Sequence, residues 1–497
     1  MSRRVVMLTA VLPDTFGGRT KSLLQRGRIF SLRGERVFIY SINHDDNYQD
    51  IFKLYRKKKY VLNGMVVGNM FEDMAGFDAS TRGNVESYLK FILGDVGSWS
   101  ISNQERARVY SNASKGIISV VYSDDGMSVI KHIEMRESDD SLVHARVFVN
   151  NRQNVTRVRH MDGRTGSVEY DDYLDANSRP YMRHKNKNGK KLFAYLGRDG
   201  EQSEFRSLKC VIADFLDGFV RDDDVIINDD RGVDYSVRLL GKPVRKIYVM
   251  HNPHLADPLD LESGLKKSFR SIIREEGLQP NETIISLTED QRDSIVSKFP
   301  ALSGNIVVIG HTNHKVPVVQ DKEKRTTFHR IGIVSRLEEQ KNLSDAIAAF
   351  DIFRNKYPDY VLDIYGKGSE EEKLRELVGS LGIQDCVNFM GFTDNVNAAF
   401  QSVDFTLNTS FFEGFPLAII ESISNGTPVA SYPVNFGPKA ILGGVAGRIS
   451  TERSPHALAL VMEELAGANL DRKTIQEWSN RFSEDDFYRK WTRVMNG

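Results

Sequence analysis

The chain has 497 residues, of which 27% are charged and 40% are hydrophobic. That length is too great for one ordinary core and predicts two or three domains. The 67 basic and 67 acidic residues balance, which argues against a surface built for nucleic acid or an anionic membrane. Cys210 and Cys386 lie far apart without metal-ligand spacing, so a reducing compartment is expected. No apolar run is long enough to predict a transmembrane helix.

The first elements form a β-loop-α-β pattern. Val5 to Ala10 is an unbroken apolar run, which is typical of a buried parallel strand and too short for a signal peptide. Gly17 and Gly18 then lead into a helical pattern, and Arg36 to Ile42 predicts a second strand. Glycine lets the backbone approach a ligand, so the N–H of Gly18 is a candidate phosphate contact. A plain turn is the alternative.

Short alternating segments replace this pattern between residues 110 and 197, with turn signals between them. Such spacing predicts an antiparallel β-rich module. Because α/β patterning resumes near residue 206, the module is interpreted as an insertion. Its basic residues could meet a polyanionic chain, although basic residues at strand edges also protect β-modules from aggregation. These residues are Arg152, Arg157, Arg159 and the stretch from Arg183 to Lys191.

A second α/β series follows the polar stretch 321–327, which is interpreted as a linker. Two such halves predict an α/β protein with two Rossmann-like domains facing a cleft. The predicted organisation is an N-terminal domain in two parts, 1–105 and 201–320, interrupted by the β-rich module 106–200. A C-terminal Rossmann-like domain spans 321–475, and a final helix, 476–497, crosses back to the N-terminal domain.

The strongest candidate site is the segment FFEGFPLAIIES, residues 411–422, which contains Glu413 and Glu421. Gly414 permits a tight turn after a strand, and Pro416 suits the first position of a helix that continues through Leu417. The free N–H groups and the positive dipole end of that helix form an anion site.

Two glutamates frame that helix start. Glu421 lies five residues past Pro416, about 7.5 Å along a helix, which is near the separation of a diphosphate from its ribose. Its carboxylate can accept protons from both ribose hydroxyls. Glu413 precedes the helix and can accept hydrogen bonds from the hydroxyls of a donor sugar. Solvated surface glutamates are the alternative interpretation.

A second motif is IGIVSRLEEQKN. Arg336 ends a strand, and Lys341 lies five residues further on, just before a helix. Both are predicted at the loop crest where nucleotides bind in such sheets. Two fixed cations can stabilise the charge of a departing diphosphate without a metal. Ordinary surface charge is the alternative.

Two histidines follow predicted strands. His251 is a candidate hydrogen-bond partner of a donor sugar or an acceptor hydroxyl, and a structural strand-end role fits it equally well. His311 ends the run NIVVIGH near the domain junction, where a linker role is favoured. No metal site is predicted.

Together, SRLEEQKN and EGFPLAIIE resemble the retaining glycosyltransferases of family 4, which have the two-domain GT-B fold. Gly18, Arg336 and Lys341 would then contact the donor diphosphate. Glu421 would hold the ribose and Glu413 the transferred sugar. The full set implied by the resemblance is Glu413, Arg336, Lys341 and His251 for catalysis, and Gly17, Gly18, Arg336, Lys341, Phe392, Pro416, Leu417 and Glu421 for donor binding, with Phe392 in the stretch that borders the base.

The β-rich insertion resembles that of bacterial poly(ribitol-phosphate) and poly(glycerol-phosphate) α-glycosyltransferases, which decorate wall teichoic acid. Enzymes that glycosylate serine-rich adhesins carry a similar insertion. The resemblance implies that the module makes the protein a homotrimer and forms part of the polymer-binding surface. One departure is that Gly310-His311-Thr312 stands where the family has Asn-Gly.

The resulting expectation is a retaining α-glycosyltransferase that moves glucose or N-acetylglucosamine from a UDP-sugar to hydroxyls of a polyol-phosphate polymer. It would need no cofactor or metal and would work in the cytoplasm, with peripheral association at the inner face of the membrane. The alternatives are a protein O-glycosyltransferase acting on serine-rich adhesins, another GT-B enzyme such as a sugar-nucleotide epimerase, and a non-catalytic polymer-binding GT-B subunit. The choice of sugar and of acceptor stays open.

Overall fold

The computed structural model describes residues 3–45, 47–77, 81, 83–137, 142–187, 190–196, 202–313, 316, 329–468 and 470–497. The chain divides into two compact units, Met1–Lys246 and Ile247–Gly497. The predicted linker 321–327 and the predicted boundary at residue 320 lie outside the described residues. The five-part division of the chain stays a prediction.

The first unit contains a group of parallel strands flanked by helices. The strands are β1 (Arg4–Thr9), β2 (Arg36–Ser41), β3 (Val66–Asn69) and β14 (Val225–Asn228). Their order is β14-β1-β2-β3, and β1 is buried along its whole length, as its unbroken apolar run predicts. The helices are α1 (Gly18–Leu32), α2 (Tyr48–Lys57), α3 (Met70–Ala75), α4 (Val85–Leu93), α5 (Leu208–Phe219) and α6 (Asp234–Arg238).

Ten antiparallel strands interrupt this parallel group. They are β4 (Ser100–Gln104), β5 (Ala107–Asn112), β6 (Gly116–Tyr122), β7 (Ile130–Arg136), β8 (Ala145–Val149), β9 (Val155–Met161), β10 (Val168–Leu174), β11 (Pro180–Lys187), β12 (Lys190–Leu196) and β13 (Gln202–Phe205). Each pairs with the next in the chain, so the inserted sheet is a meander. Its buried residues form one core with Val85 and Leu93 of α4, which confirms the antiparallel β-rich insertion.

The second unit carries the remaining strands. β15 (Arg245–Val249) crosses the division between the units, and β16 (Glu282–Ser286) pairs in parallel with β17 (Ile306–Val308). A six-stranded sheet follows: β18 (His329–Val334), β19 (Tyr360–Tyr365), β20 (Val387–Gly391), β21 (Phe405–Asn408), β22 (Val429–Ser431) and β23 (Gly447–Ile449). All of its strands are parallel.

Nine helices of the described residues in this unit surround the strands. They are α7 (Glu289–Lys298), α8 (Leu343–Arg354), α9 (Glu371–Leu381), α10 (Val396–Ser402), α11 (Leu417–Ser424), α12 (Pro438–Leu442), α13 (Pro455–Gly467), α14 (Arg472–Ser479) and α15 (Glu484–Asn496). Short 3-10 turns cover Val96–Ser98 in the first unit and Lys267–Phe269, Pro300–Leu302, Glu339–Lys341 and Asn480–Phe482 in the second. Within the described part of the chain, no helix has both the length and the apolar character needed to cross a membrane.

The order of the six-stranded sheet is β20-β19-β18-β21-β22-β23. The chain therefore adds β19 and β20 on one side of β18, and then β21, β22 and β23 on the other side. Parallel sheets of this kind bind ligands outside the carboxyl ends of the strands at the point where the order reverses. That point lies between β18, which carries the start of the first predicted motif, and β21, which precedes the second.

The C-terminal stretch corrects one prediction, because 476–497 is not a single helix. Ser483 adopts an extended conformation with φ −66° and ψ 152°, which ends the helical path after the turn Asn480–Phe482. Its side chain then accepts a hydrogen bond from the backbone N–H of Asp486. A serine that caps the next helix in this way separates α14 from α15.

Candidate active site

Two loops are joined at the carboxyl end of the six-stranded sheet. One follows β18 and the other follows β21. The backbone N–H of Phe411 donates to the carbonyl of Gln340 at 3.0 Å, and the Gln340 side chain donates to the carbonyl of Phe412 at 2.9 Å. The Thr409 hydroxyl donates to the carbonyl of Lys341 at 2.9 Å. We call these two segments, 338–342 and 409–413, the loop clasp.

The loop clasp holds one ion pair. Lys341 Nζ lies 2.5 Å from Glu413 Oε1, and the side chains are only 19% and 9% exposed. A charge pair this shielded from water interacts more strongly than a surface pair. The structure thus brings together two residues that the sequence placed in separate motifs.

Asn342 sets the direction in which the chain leaves Lys341. Its φ of 48° is in the left-handed region, which asparagine tolerates better than most residues. Its side chain donates to Asp345 Oδ2 at 2.9 Å, within the first turn of α8. The 3-10 turn Glu339–Lys341 can therefore end abruptly and leave Lys341 beside the second loop.

Helix α11 begins immediately after the loop clasp, with one correction. Pro416 is the N-cap residue, with φ −71° and ψ 105°, and Leu417 is the first helical residue. The extended ψ of Pro416 excludes it from the helix, so the predicted start was one residue early. No side chain caps this end of the helix, which agrees with an anion site at its N–H groups; that site stays a prediction. Glu421 lies within α11, as predicted.

Gly414 joins the clasp to the strand-end histidine. A Cβ atom at this position would lie 2.1 Å from the carbonyl oxygen of His251, so only glycine fits. The sequence predicted Gly414 as a turn residue. The structure adds a steric reason, since the peptide after Glu413 packs directly on the peptide of His251.

Arg336 and Phe392 are placed at the same end of the sheet but outside the clasp. Arg336 is exposed two residues after β18, and none of the described carboxylates lies within ion-pair distance of its guanidinium. Phe392 follows β20 and is 67% exposed. The structure therefore does not bring Arg336 into contact with Lys341, and the roles of Arg336 and Phe392 stay predictions.

Sequence reasoning missed the glycines that support the Arg336 loop. A Cβ on Gly366 would lie 1.8 Å from the carbonyl oxygen of Ser335, and one on Gly368 would lie 2.1 Å from that of Leu337. Leu337 N also donates to the carbonyl of Lys367 at 3.0 Å. The signal was a glycine pair directly after β19. Gln340 and Thr409 were also missed, because residues that act through backbone contacts leave no local pattern.

His251 belongs to a cluster of three aromatic rings. The His251 and His311 rings lie 5.4 Å apart with an interplanar angle of 18°. The His311 ring meets Phe415 edge-on at 5.7 Å. A linker role alone does not describe His311, because its side chain contacts the candidate site.

The first unit supplies Gly17 and Gly18. Gly17 is the N-cap of α1 in an extended conformation, and Gly18 is the first helical residue. No side chain caps this helix start, and a Cβ on Gly17 would meet nothing within 4 Å. The position agrees with a phosphate contact through backbone N–H groups, which stays a prediction.

Three of the predicted basic residues of the inserted sheet contact neighbouring side chains. Arg159 donates to both carboxylate oxygens of Asp171, at 2.9 and 3.2 Å, and Arg183 donates to Asp172 Oδ2 at 2.7 Å. Arg157 stacks over a neighbouring phenylalanine ring at 4.0 Å. Residues 188 and 189 of the predicted basic stretch lie outside the described residues.

Residues 318–481 match the family model described as glycosyl transferases group 1. These residues form a group 1 glycosyltransferase domain. The match contains the loop clasp, Arg336, Phe392 and α11, so it confirms the family that the two sequence motifs predicted.

Relatives match along nearly the whole chain at low identity. A poly(glycerol-phosphate) alpha-glucosyltransferase of Bacillus subtilis strain 168 is 23% identical over 98% of this chain and 74% of its own. A poly(ribitol-phosphate) alpha-N-acetylglucosaminyltransferase of Staphylococcus aureus strain COL is 21% identical over 99% of this chain and 100% of its own. The chain therefore resembles teichoic acid α-glycosyltransferases, as predicted.

A crystal structure of an S. aureus TarM mutant in complex with Fondaparinux, alpha-GlcNAc-glycerol and UDP has a TM-score of 0.79. Its sequence is 19% identical, and the match covers 100% of both chains. Together with the two parallel sheets and the inserted antiparallel sheet, this likeness confirms the predicted GT-B fold.

Proposed function

We propose that this protein is a retaining α-glycosyltransferase that moves glucose or N-acetylglucosamine from a UDP-sugar to hydroxyls of a polyol-phosphate polymer. The observation that carries the proposal is the Lys341–Glu413 ion pair beside the uncapped start of α11. The names of the two relatives support it, since both act on polyol-phosphate polymers. The UDP in the related crystal structure supports a UDP-linked donor.

The proposed donor site uses fixed positive charge. The diphosphate lies at the N-terminus of α11, where free N–H groups and the helix dipole stabilise anions. Lys341 and Arg336 stabilise the charge that grows on the diphosphate as the sugar leaves. Glu421 accepts the ribose hydroxyl protons, Phe392 lies against the base and Gly18 meets a phosphate oxygen.

Glu413 has two tasks in this proposal. One carboxylate oxygen holds Lys341 in place. A carboxylate offers about four acceptor sites, so sites remain for the hydroxyls of the transferred sugar. The pair therefore links sugar recognition to charge stabilisation of the leaving group.

The proposed reaction proceeds on one face of the sugar. The acceptor oxygen forms a bond to the anomeric carbon on the side from which the diphosphate departs. The bond between the anomeric carbon and the phosphate oxygen breaks, and the acceptor proton passes to that phosphate oxygen. The configuration is retained without a side chain acting as general base, and preorganised charge lowers the barrier.

The proposed setting is the cytoplasm, at the inner face of the membrane where the polymer is made. We also propose that the inserted sheet joins three copies into a homotrimer and contacts the polymer. Size-exclusion chromatography with light scattering measures the assembly, and a monomeric protein would contradict the trimer.

The experiment that tests the proposal is UDP release by the purified full-length protein. UDP-glucose and UDP-N-acetylglucosamine are each supplied with poly(glycerol-phosphate), poly(ribitol-phosphate), a serine-rich peptide or no acceptor. We expect release with one donor that depends on a polyol-phosphate polymer, with an α-linked product by NMR.

The other outcomes separate the alternatives. Release that depends on the serine-rich peptide alone would favour a protein O-glycosyltransferase. Release without any acceptor would favour an epimerase-like reaction. Polymer binding without release from either donor would favour a non-catalytic subunit.

A further inference from the structure

The ring cluster behind Gly414 places His311 against His251, for which the family resemblance implies a catalytic role. The planes of His251 and His311 are nearly parallel, 18° apart at a centroid distance of 5.4 Å. This is the offset stacking geometry that aromatic pairs favour. The ring of Phe415 stands at 87° to His311, 5.7 Å away, and fixes it from another direction.

The backbone around His311 is anchored on both sides. Ile309 N donates to the carbonyl of Ser286 at 2.9 Å. Thr312 Oγ1 donates to the carbonyl of Phe482. A side chain carried between two such anchors has little freedom of backbone movement, so its ring is a firm surface for His251 to rest on.

The close approach of Phe415 to Gly310 shows that the Phe415 ring packs against the backbone beside His311. A Cβ at Gly310 would lie 2.6 Å from Cζ of Phe415, so the ring fills the space that a larger residue would need. Phe415 follows Gly414, whose backbone packs against His251. The three rings and the Glu413–Gly414 turn are therefore one contiguous packing unit.

Empty space lies beside this unit. His311 and Phe415 line a cavity of about 270 Å³. Removing the His311 ring would join its volume to that cavity, and no packed side chain would take its place against His251.

We propose that His311 is a positioning residue, whose stacked ring fixes the orientation of the His251 imidazole toward the reacting sugar. His251, not His311, contacts the donor sugar or the acceptor hydroxyl. The inference rests on the proposed function and on the catalytic role that the family resemblance implies for His251. It also accounts for the Gly-His-Thr sequence that replaces the family's Asn-Gly.

A double-mutant cycle tests the proposal by UDP release. We expect His311→Ala to lower kcat about tenfold with the KM for the UDP-sugar within twofold of wild type, and His311→Phe to restore most of kcat. His251→Ala and the double variant His251→Ala/His311→Ala should have the same kcat, since a ring that acts only through His251 has no effect once His251 is gone. The matched control is His329→Ala, because His329 stacks on Tyr360 at 18° elsewhere in the unit, and its kcat should not change.

Independent effects would overturn the proposal. If the double variant were about tenfold slower than His251→Ala, or if His311→Phe were as slow as His311→Ala, His311 would act on its own. A fall in kcat of the same size in His329→Ala would mean that loss of any stacked histidine is damaging.

A measurement without turnover separates this inference from the proposed function. The imidazole signals of His251 are followed by NMR in the full-length protein and assigned with His251→Ala. We expect His311→Ala to shift them and His311→Phe to retain a ring-stacked shift, whether or not any UDP-sugar reacts. Unchanged His251 signals in His311→Ala would overturn the stacking role even if the enzyme is active.

Discussion

The loop clasp and the inserted sheet use charge in opposite ways. In the clasp, Lys341 and Glu413 form one shielded pair between irregular loops, and Arg336 stands exposed nearby in the sequence. In the inserted sheet, Arg159 faces Asp171 and Arg183 faces Asp172 directly across neighbouring strands. These two arginines of the sheet each face a carboxylate on the adjacent strand, whereas the ion pair of the clasp lies beside a helix start that no side chain caps.

That difference separates charge used for structure from charge available to a ligand. A strand-paired arginine satisfies its carboxylate neighbour, and an incoming polyanion must compete with that neighbour. At the same end of the six-stranded sheet, none of the described carboxylates lies within ion-pair distance of Arg336, and no side chain caps the start of α11. Four experiments test this distinction.

The largest effect is expected for Lys341→Ala. Loss of one group that stabilises developing charge typically costs about 2.7–4 kcal/mol, or ~10²–10³ in rate, and we expect kcat for UDP release to fall by that amount. The control is Lys356→Ala, since Lys356 forms an exposed 2.5 Å pair with Glu463, and surface pairs contribute little. Near-normal turnover of Lys341→Ala at saturating donor would remove the clasp from the mechanism.

Gly414→Ala should destabilise the clasp itself. The added Cβ would lie 2.1 Å from the carbonyl oxygen of His251, and overpacking of this kind costs about 1–3 kcal/mol. We expect a lower midpoint of thermal unfolding together with lower kcat. Gly379→Ala is the control, because a Cβ there meets nothing within 4 Å and alanine stabilises a helix by up to about 1 kcal/mol. Equal melting behaviour of the two variants would contradict the close approach.

Asp172→Asn tests whether the ion pair of Asp172 with Arg183 stabilises the fold. The measured quantity is the stability of the variant as a function of pH. Burial raises the pKa of Asp172, but hydrogen bonds and charge from His160 and Arg183 outweigh it and leave the pKa below its ordinary value. A carboxyl with a depressed folded-state pKa stabilises the fold above its unfolded pKa of about 3.9 and loses that contribution as pH falls.

We therefore expect Asp172→Asn to be less stable than wild type at pH 7, by about 1 kcal/mol. The difference should shrink as the pH falls below about 4. Thermal unfolding at several pH values measures it. Asp125→Asn, which removes an exposed pair with Arg106, should show almost no difference at any pH. A constant deficit for Asp172→Asn across the pH range would mean that the ion pair is not its source.

The smallest effect is expected for Arg159→Gln. Because Asp171 already satisfies this guanidinium, its removal should change the KM for a polyol-phosphate polymer less than twofold at moderate salt. Arg164→Gln, at an exposed turn of the same sheet, is the comparison variant. A much larger rise in KM for Arg159→Gln that weakens with added salt would show that the polymer displaces Asp171.

The sequence alone determined the classes of structure and the motif residues. Apolar runs and alternating segments predicted the parallel and antiparallel sheets, because side-chain periodicity reports local burial. The two motifs resembled the family 4 glycosyltransferases, and they predicted the start of α11 to within one residue. The predicted start at Pro416 is one residue early, because the ψ of 105° at Pro416 is extended and Leu417 is the first helical residue.

Tertiary structure alone decided which of those residues meet. Lys341 and Glu413 are 72 residues apart in the chain, and their pairing follows from the placement of β21 beside β18. The contact between His251 and His311, and the pairing of Arg159 with Asp171, depend in the same way on chain packing and strand register. Local periodicity specifies how each segment buries its own side chains, but partners distant in sequence are chosen only when the segments pack together.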